Sequence, residues 1–343
     1  MVGALVRGGR AGAGERLMAT SDGSGLTTQV DPAWLDADSY VAFLNRVFPG
    51  QWNRAAYEWY VARPFNYRKS HTLVRVNGTA IVSGMALCYR QVKVGQGPPI
   101  QISVISAAGT LPSERRQGHY ATLLSSALEH CGDSGSVAAL GFVTRQNASG
   151  RGLARLGAEA IPSFYITSAS RRSGLQQVLR VNRSTTIRSA GTEVNIGEAF
   201  AMRAQQQCER RGPGNSPVAH FHYENTDDWK RQFIHRPRAV RALRLGHDSM
   251  ALTETVGETD RLQWLCCPGE KVTRYIADLA RTSAVRGRGF FMYTLSACEA
   301  AAARRAGLRI REGHLMLLPT GRSAADWERL RRAAWQVESG DRL

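Results

Sequence analysis

The chain resembles itself, weakly, at an offset of 150 residues. A repeat of that length constrains the fold more than any single motif, because each copy must be a unit able to bury its own core. Gly307 falls on Gly157, and an apolar run at 314–318 falls on 164–168. Arg63-Pro64 closes an early amphipathic segment, and Arg236-Pro237 closes a similar one later. The length of 343 residues suits two domains at about 150 residues each. The repeat therefore predicts a duplicated α+β unit.

Local patterns fill in each copy. Residues 38–63 read as two short amphipathic helices broken at Pro49-Gly50. Asn77-Gly78 between two apolar runs predicts a hairpin over 71–94. Strands are expected at 101–112, 136–144 and 162–168, with helices after Gly118 and over 147–157. In the second copy, strands are expected at 240–257, 261–267, 290–295 and 314–318, and helices at 270–281 and 298–306. The resulting division is a flexible Gly/Arg/Ser tail at 1–28, a first unit at 29–170, a basic linker with an entry helix at 171–215, and a second unit at 216–343.

Charge narrows the ligands. There are 45 Lys and Arg against 28 Asp and Glu, a formal +17, and the lysines are only Lys69, Lys93, Lys230 and Lys271. Such an excess points to a polyanionic ligand: nucleic acid, an anionic surface or a phosphorylated cofactor. No apolar run approaches the roughly 20 residues of a membrane span. The N-terminus has no apolar signal segment, and the six isolated cysteines lack zinc spacing, so a reduced cytoplasmic protein without a metal is expected.

The chemistry concentrates in Thr110-Leu111-Pro112-Ser113-Glu114-Arg115-Arg116-Gln117-Gly118-His119-Tyr120-Ala121, between a predicted strand and a predicted helix. A helix N-terminus offers unsatisfied N–H donors and the positive end of the macrodipole, which together bind phosphate. Gly118 has no Cβ to hold an anion off the backbone. Arg115 and Arg116 add charge-assisted contacts.

These residues resemble the pyrophosphate loop of the GNAT superfamily of N-acetyltransferases, with its Arg/Gln-x-x-Gly-x-Gly/Ala pattern. The likeness extends over about residues 70–168, through a strand at 136–144, Asn147, and a short helix closing at Leu156-Gly157. It implies an α+β fold of two tandem GNAT-like units, each a mixed central sheet flanked by helices. It also implies a cofactor, acetyl-CoA or a longer acyl-CoA, held at Gly109, Thr110, Leu111, Arg115, Arg116, Gln117, Gly118, His119, Tyr120, Ala121 and Asn147. The pyrophosphate is expected on the amides of Arg116 to Ala121, with an oxyanion-binding N–H near Leu111. Two positions depart from the family. Tyr120 stands where Gly or Ala is preferred, and Leu153 stands where many members carry a tyrosine acid. The acid and base candidates become His119, Tyr120 and Tyr165.

The second copy reads Cys266-Cys267-Pro268-Gly269-Glu270-Lys271 at the equivalent loop and lacks the motif. The expected activity is therefore N-acylation of a small-molecule amine, such as an amino sugar or antibiotic, bound in a cleft between the units. The glycopeptide-type antibiotic N-acyltransferases are similar in architecture. The +17 charge keeps an aminoacyl-tRNA-dependent transferase as the runner-up, with residues 171–211 as its phosphate-contacting strip. Loss of the tyrosine at position 153 admits a third reading, a non-catalytic CoA- or nucleic-acid-binding regulator.

Overall fold

A computed structural model describes residues 20–21, 25–48, 52–64, 68–168, 192–193, 195–209 and 216–342. Its strands join one mixed sheet of 15 strands with helices on both faces. The Asn77-Gly78 hairpin forms as expected, because Gly78 takes the left-handed turn conformation at φ 58°. It joins β3 (His71–Asn77) to β4 (Ala80–Val94), and β5 (Ile100–Thr110) pairs antiparallel with β4. The period-2 alternation then sorts the side chains. Leu73, Met85 and Leu87 face one side, where α3 (His119–Asp133) covers them. Val74, Val76 and Ala86 face the other, under α1 (Ala37–Val47).

Part of the segment expected as a tail at 1–28 lies in strands. Strand β1 (Thr20–Ser21) pairs with β2 (Thr27–Val30), and β2 pairs with β3. Asp31 then binds His71 and the Thr72 amide, which anchors the entry to the first unit. Residues 1–19 and 22–24 lie outside the described residues, as do 171–191, 194 and 210–215 of the expected linker. The expected entry helix is α5 (Ile196–Glu209), preceded by β8 (Thr192–Glu193).

The two copies are joined by exchanged strands. The first unit continues with β6 (Ala138–Thr144), α4 (Ala148–Arg155) and β7 (Glu159–Thr167). The second opens with β9 (Val218–His222) and α6 (Thr226–Phe233). A meander follows: β10 (Val240–Gly246), β11 (Ser249–Val256) and β12 (Thr259–Cys266). The unit then runs through α7 (Val272–Val285), β13 (Gly289–Thr294), α8 (Ala297–Arg305) and β14 (Arg309–Pro319).

In the sheet, β14 lies between β6 and β7, and β7 lies between β14 and β13. Each copy's last strand thus fills the gap beside the other's. The pairing runs from Arg309 opposite Thr167 to Leu317 opposite Glu159, centred on Gly313 and Ser163. This register makes 159–167 and 309–317 the same segment at the repeat's offset. Gly157 and Gly307, at φ 83° and 77°, close the helix before each strand.

The C-terminal segment, read in the sequence only as part of the second unit, folds back onto the first. It forms α9 (Ala324–Arg332) and β15 (Ala334–Gln336), and β15 pairs with β9, which pairs with β4. Tyr223, Asp341, Arg90 and Gln232 lock this face through buried hydrogen bonds: Arg90 donates to Gln232 at 2.8 Å and to Tyr223 at 2.5 Å, and Tyr223 donates to Asp341 at 2.5 Å. Among the described residues no helix is long and apolar enough to cross a membrane.

Candidate functional site

The loop between β5 and α3 has the geometry of an anion cradle. Arg116 at φ 70° and Gly118 at φ 82° are both left-handed. For Arg116 that conformation costs about 1–2 kcal/mol, a strain concentrated at functional loops. Paired left-handed turns gather successive N–H groups into a concavity that suits anions. The N–H groups of Arg116 through Tyr120 have no backbone acceptor among the described residues. The first satisfied amides are Ala121 and Thr122, both donating to the Gly118 carbonyl, at 2.9 and 3.1 Å. The expected set of open amides therefore loses Ala121. No side chain caps α3, whose N-terminus stays open. A Cβ at Gly118 would meet nothing within 4 Å, so the space in front of the loop is clear.

The strands below the loop also open. Pairing between β5 and β6 covers only Ile102–Ala138 to Val104–Leu140. Beyond Val104, the edge of β5 that faces β6 has no ladder partner among the described residues, and Ala107 at φ 48° breaks the strand's regularity. This gap fits an extended chain that adds to the sheet edge. The Leu111 amide, expected near the oxyanion, instead donates to the Val82 carbonyl at 2.9 Å. Hydrogen bonding to β4 has already consumed it, so the Leu111 amide is not open to an oxyanion.

The other cofactor candidates divide into contacts and scaffolding. A Cβ on Gly109 would strike Val47 of α1, so this glycine lets the helix close on β5. The Thr110 hydroxyl meets Ser83 Oγ at 2.9 Å, and Arg115 Nε donates to the Thr110 carbonyl at 3.3 Å. Gln117 reaches Glu114. Asn147 caps α4, its Oδ1 accepting from Ser149 N at 3.0 Å and Ser149 Oγ at 2.8 Å.

The three acid and base candidates lie in three different places. His119 is buried behind the loop, its Nδ1 accepting from Arg75 Nε at 3.2 Å. Tyr120 lies across the groove between α3 and α4, with its ring against Gly152 and its hydroxyl at Ser149. Glycine at 152 explains itself: any Cβ would press on the Tyr120 ring at 3.1 Å. Burial pushes the Tyr120 phenol up to about 12, so it stays protonated at neutral pH. Leu153 is buried against Gly141. Tyr165 sits on the opposite face, edge-on to Tyr293 at 5.1 Å and beneath the Arg342 guanidinium at 4.7 Å. Burial raises its pKa, and Arg342 opposes that rise.

Tyr165 lines a cavity of about 430 Å³ built by both copies. Tyr60 comes from a short π-helical segment, Glu58–Ala62, that continues α2 (Arg54–Tyr57). The Tyr60 carbonyl accepts from Ser106 Oγ at 3.2 Å and Cys88 Sγ at 3.4 Å, which fixes that irregular turn onto β4 and β5. Phe290 and Phe291 come from β13, Arg261 from β12, and Arg342 from the C-terminal segment. Nothing in the sequence brings Arg261 and Arg342 together; only the folded-back terminus does. A larger cavity, about 700 Å³, lies in the second copy between α7 and α8, where the first copy has its Tyr120-filled groove.

Residues 35–160 match the acetyltransferase (GNAT) domain family. No curated protein sequence matches the chain. Among solved structures, N-myristoyltransferase from Saccharomyces cerevisiae with bound myristoyl-CoA is similar at a TM-score of 0.60 and 9% identity, over 89% of this chain and 85% of that one. A GCN5-related N-acetyltransferase from Kribbella flavida is similar at a TM-score of 0.52 and 14% identity, over 87% and 72%. One from Anabaena variabilis gives 0.54 and 12%, over 85% and 73%. These identities establish a shared fold.

Proposed function

We propose that this acyltransferase, whose residues 35–160 carry an acetyltransferase (GNAT) domain, moves an acyl group from acyl-CoA to the amine of a small molecule. The observation that carries this reading is the cradle at Arg116–Tyr120: two left-handed residues, open amides and an uncapped helix in front of clear space. It fits a pyrophosphate and sits beside the gap between β5 and β6, which fits the extended arm of the same molecule. When bound, acyl-CoA supplies an activated carbonyl that an amine attacks directly.

The chain's own residues have four tasks. Arg115 and Arg116 neutralise the pyrophosphate, and the helix N-terminus orients it. Free amides on the splayed edge of β5 hold developing negative charge on the carbonyl oxygen. Tyr120, protonated and on the cofactor side, is the acid candidate for the departing thiolate. The cavity between the copies, on the face of Tyr60 and Tyr165, receives the acceptor. Units at 29–170 and 216–343 divide this work, the first holding the donor and the second walling the acceptor. Specialised metabolites, including antibiotics with a free amine, are the acceptor class. Mass spectrometry of a turnover mixture of several acyl-CoAs and an amine library tests this. Acylated product that requires both partners is expected; absence of any acylated amine from a protein that binds CoA would overturn it.

A further inference from the structure

The cavity shared by the two copies is a cation-rich chamber, with no carboxylate among the described residues that line it. Arg236, Arg261 and Arg342 line it, with Tyr60, Tyr165, Phe290 and Phe291 as aromatic walls. An adjoining cavity of about 180 Å³ shares Tyr60 and Arg261 and adds Arg238. Among the described residues no Asp or Glu lines either one. Elsewhere several buried arginines stand beside carboxylates. Arg203 lies 3.8 Å from Asp341, and Arg281 3.6 Å from Asp278. Arg236 belongs to this paired group, since Glu254 stands 3.1 Å behind it and also accepts from Gln263 at 2.6 Å.

Arg261 and Arg342 differ. Among the described residues neither makes a side-chain hydrogen bond or ion pair. Arg342 is held by rings alone, 4.7 Å from the centroids of Tyr165 and Tyr293 and 5.8 Å from that of Phe291. Its Nε is buried without a partner. Arg261 lies 5.8 Å from the same Phe291. Two guanidinium groups therefore lie near one ring in the lining of one cavity, both without an anion among the described residues. Partial removal of a cation from water is costly unless an anion completes it. The guanidinium fork matches a carboxylate or phosphate bidentately.

We propose that the acceptor amine carries an anionic group, which Arg261 and Arg342 grip while its apolar body lies against Phe291, Tyr165 and Tyr60. The inference rests on the cleft being the acceptor site and narrows the acceptor to an amino-acid-like or otherwise acidic amine. A polycationic amino sugar would meet only repulsion there. The volume of about 430 Å³ suits a small molecule of that kind.

Equilibrium titration without acyl-CoA tests this separately from transfer. The probes are a panel of N-acetyl amino acids, their phosphonate analogues and their neutral amides. The anionic members that bind are expected to do so at least about tenfold more tightly than their amides, a difference of about 1.4 kcal/mol. Arg261→Gln and Arg342→Gln should each remove most of that difference and leave amide affinity within about twofold. Arg261 is only half-buried, so it decides the matter if circular dichroism shows Arg342→Gln to be unfolded. Amides binding as tightly as acids, no anionic probe binding, folded variants that keep the preference, or tighter binding of a polycationic amino sugar would overturn the proposal. Failure of acyl transfer with these results intact would instead overturn the enzymatic reading.

Discussion

The same helix-flanked gap occurs twice in the sheet, and the two versions have opposite endowments. In the first copy the loop has the chemistry and little room. Arg116 and Gly118 turn the backbone into a cradle, while Tyr120 fills the groove between α3 and α4. In the second copy there is room without the chemistry. A cavity of about 700 Å³ lies between α7 and α8, but its loop carries Glu270 and no Arg-x-x-Gly. The lining there includes Glu299 and Glu338 beside Arg305, and the Lys271 ammonium is bound to Asp248 at 2.7 Å. Volume alone is thus a poor guide to the donor site. The open amides and the room lie in different copies.

The contrast can be broken most sharply at Gly118. Gly118→Glu adds a negative charge at the cradle and a side chain at φ 82°, in space that is otherwise clear. CoA affinity measured by calorimetry should fall at least about 100-fold, with the fold retained. Tyr120→Phe comes next. If the phenol is the acid, kcat should fall by about 10²-fold while the affinity for CoA holds. An unchanged kcat would reduce Tyr120 to a plug. Arg115→Gln with Arg116→Gln should weaken CoA about tenfold at low salt and less at high salt, as screening requires. The smallest effect is expected in the second copy. Cys298→Trp, at an exposed position lining the larger cavity, should leave CoA affinity within about twofold.

A second comparison concerns pH. His220 and His222 of β9 are both held down to about 4, first by burial, with Arg203 and Lys93 adding to it. The unfolded chain takes up those protons near 6.5, so between about 6.5 and 4 it binds more protons than the native chain. Stability should therefore be fully present above about 6.5 and decline as pH falls toward 4. Thermal melts across this range should show that decline, and His220→Gln should flatten it.

Much of the first copy was legible because its signals are local. A left-handed glycine before a helix, a two-residue turn and an alternating strand declare themselves over a few residues. The repeat was legible too, since Gly157 and Gly307 both need positive φ. The exchange of β7 and β14 was not. Alternation in a strand says which side chains share a face and nothing about which strand lies alongside. For the same reason the sequence leaves the Leu111 amide available, whereas in the fold Val82 takes it. The pairing of Arg261 with Arg342 had no sequence signal at all, because it depends on a terminal segment returning to β9 and the first unit. An excess of arginine over the whole chain gives these two no distinguishing mark.

The most direct test of the account is the stoichiometry of CoA on the full chain, measured by calorimetric titration alongside Gly118→Glu. The account predicts one CoA per chain for the wild type and none for the variant. Two equivalents, or one that survives Gly118→Glu, would place the donor in the roomier second copy and contradict it.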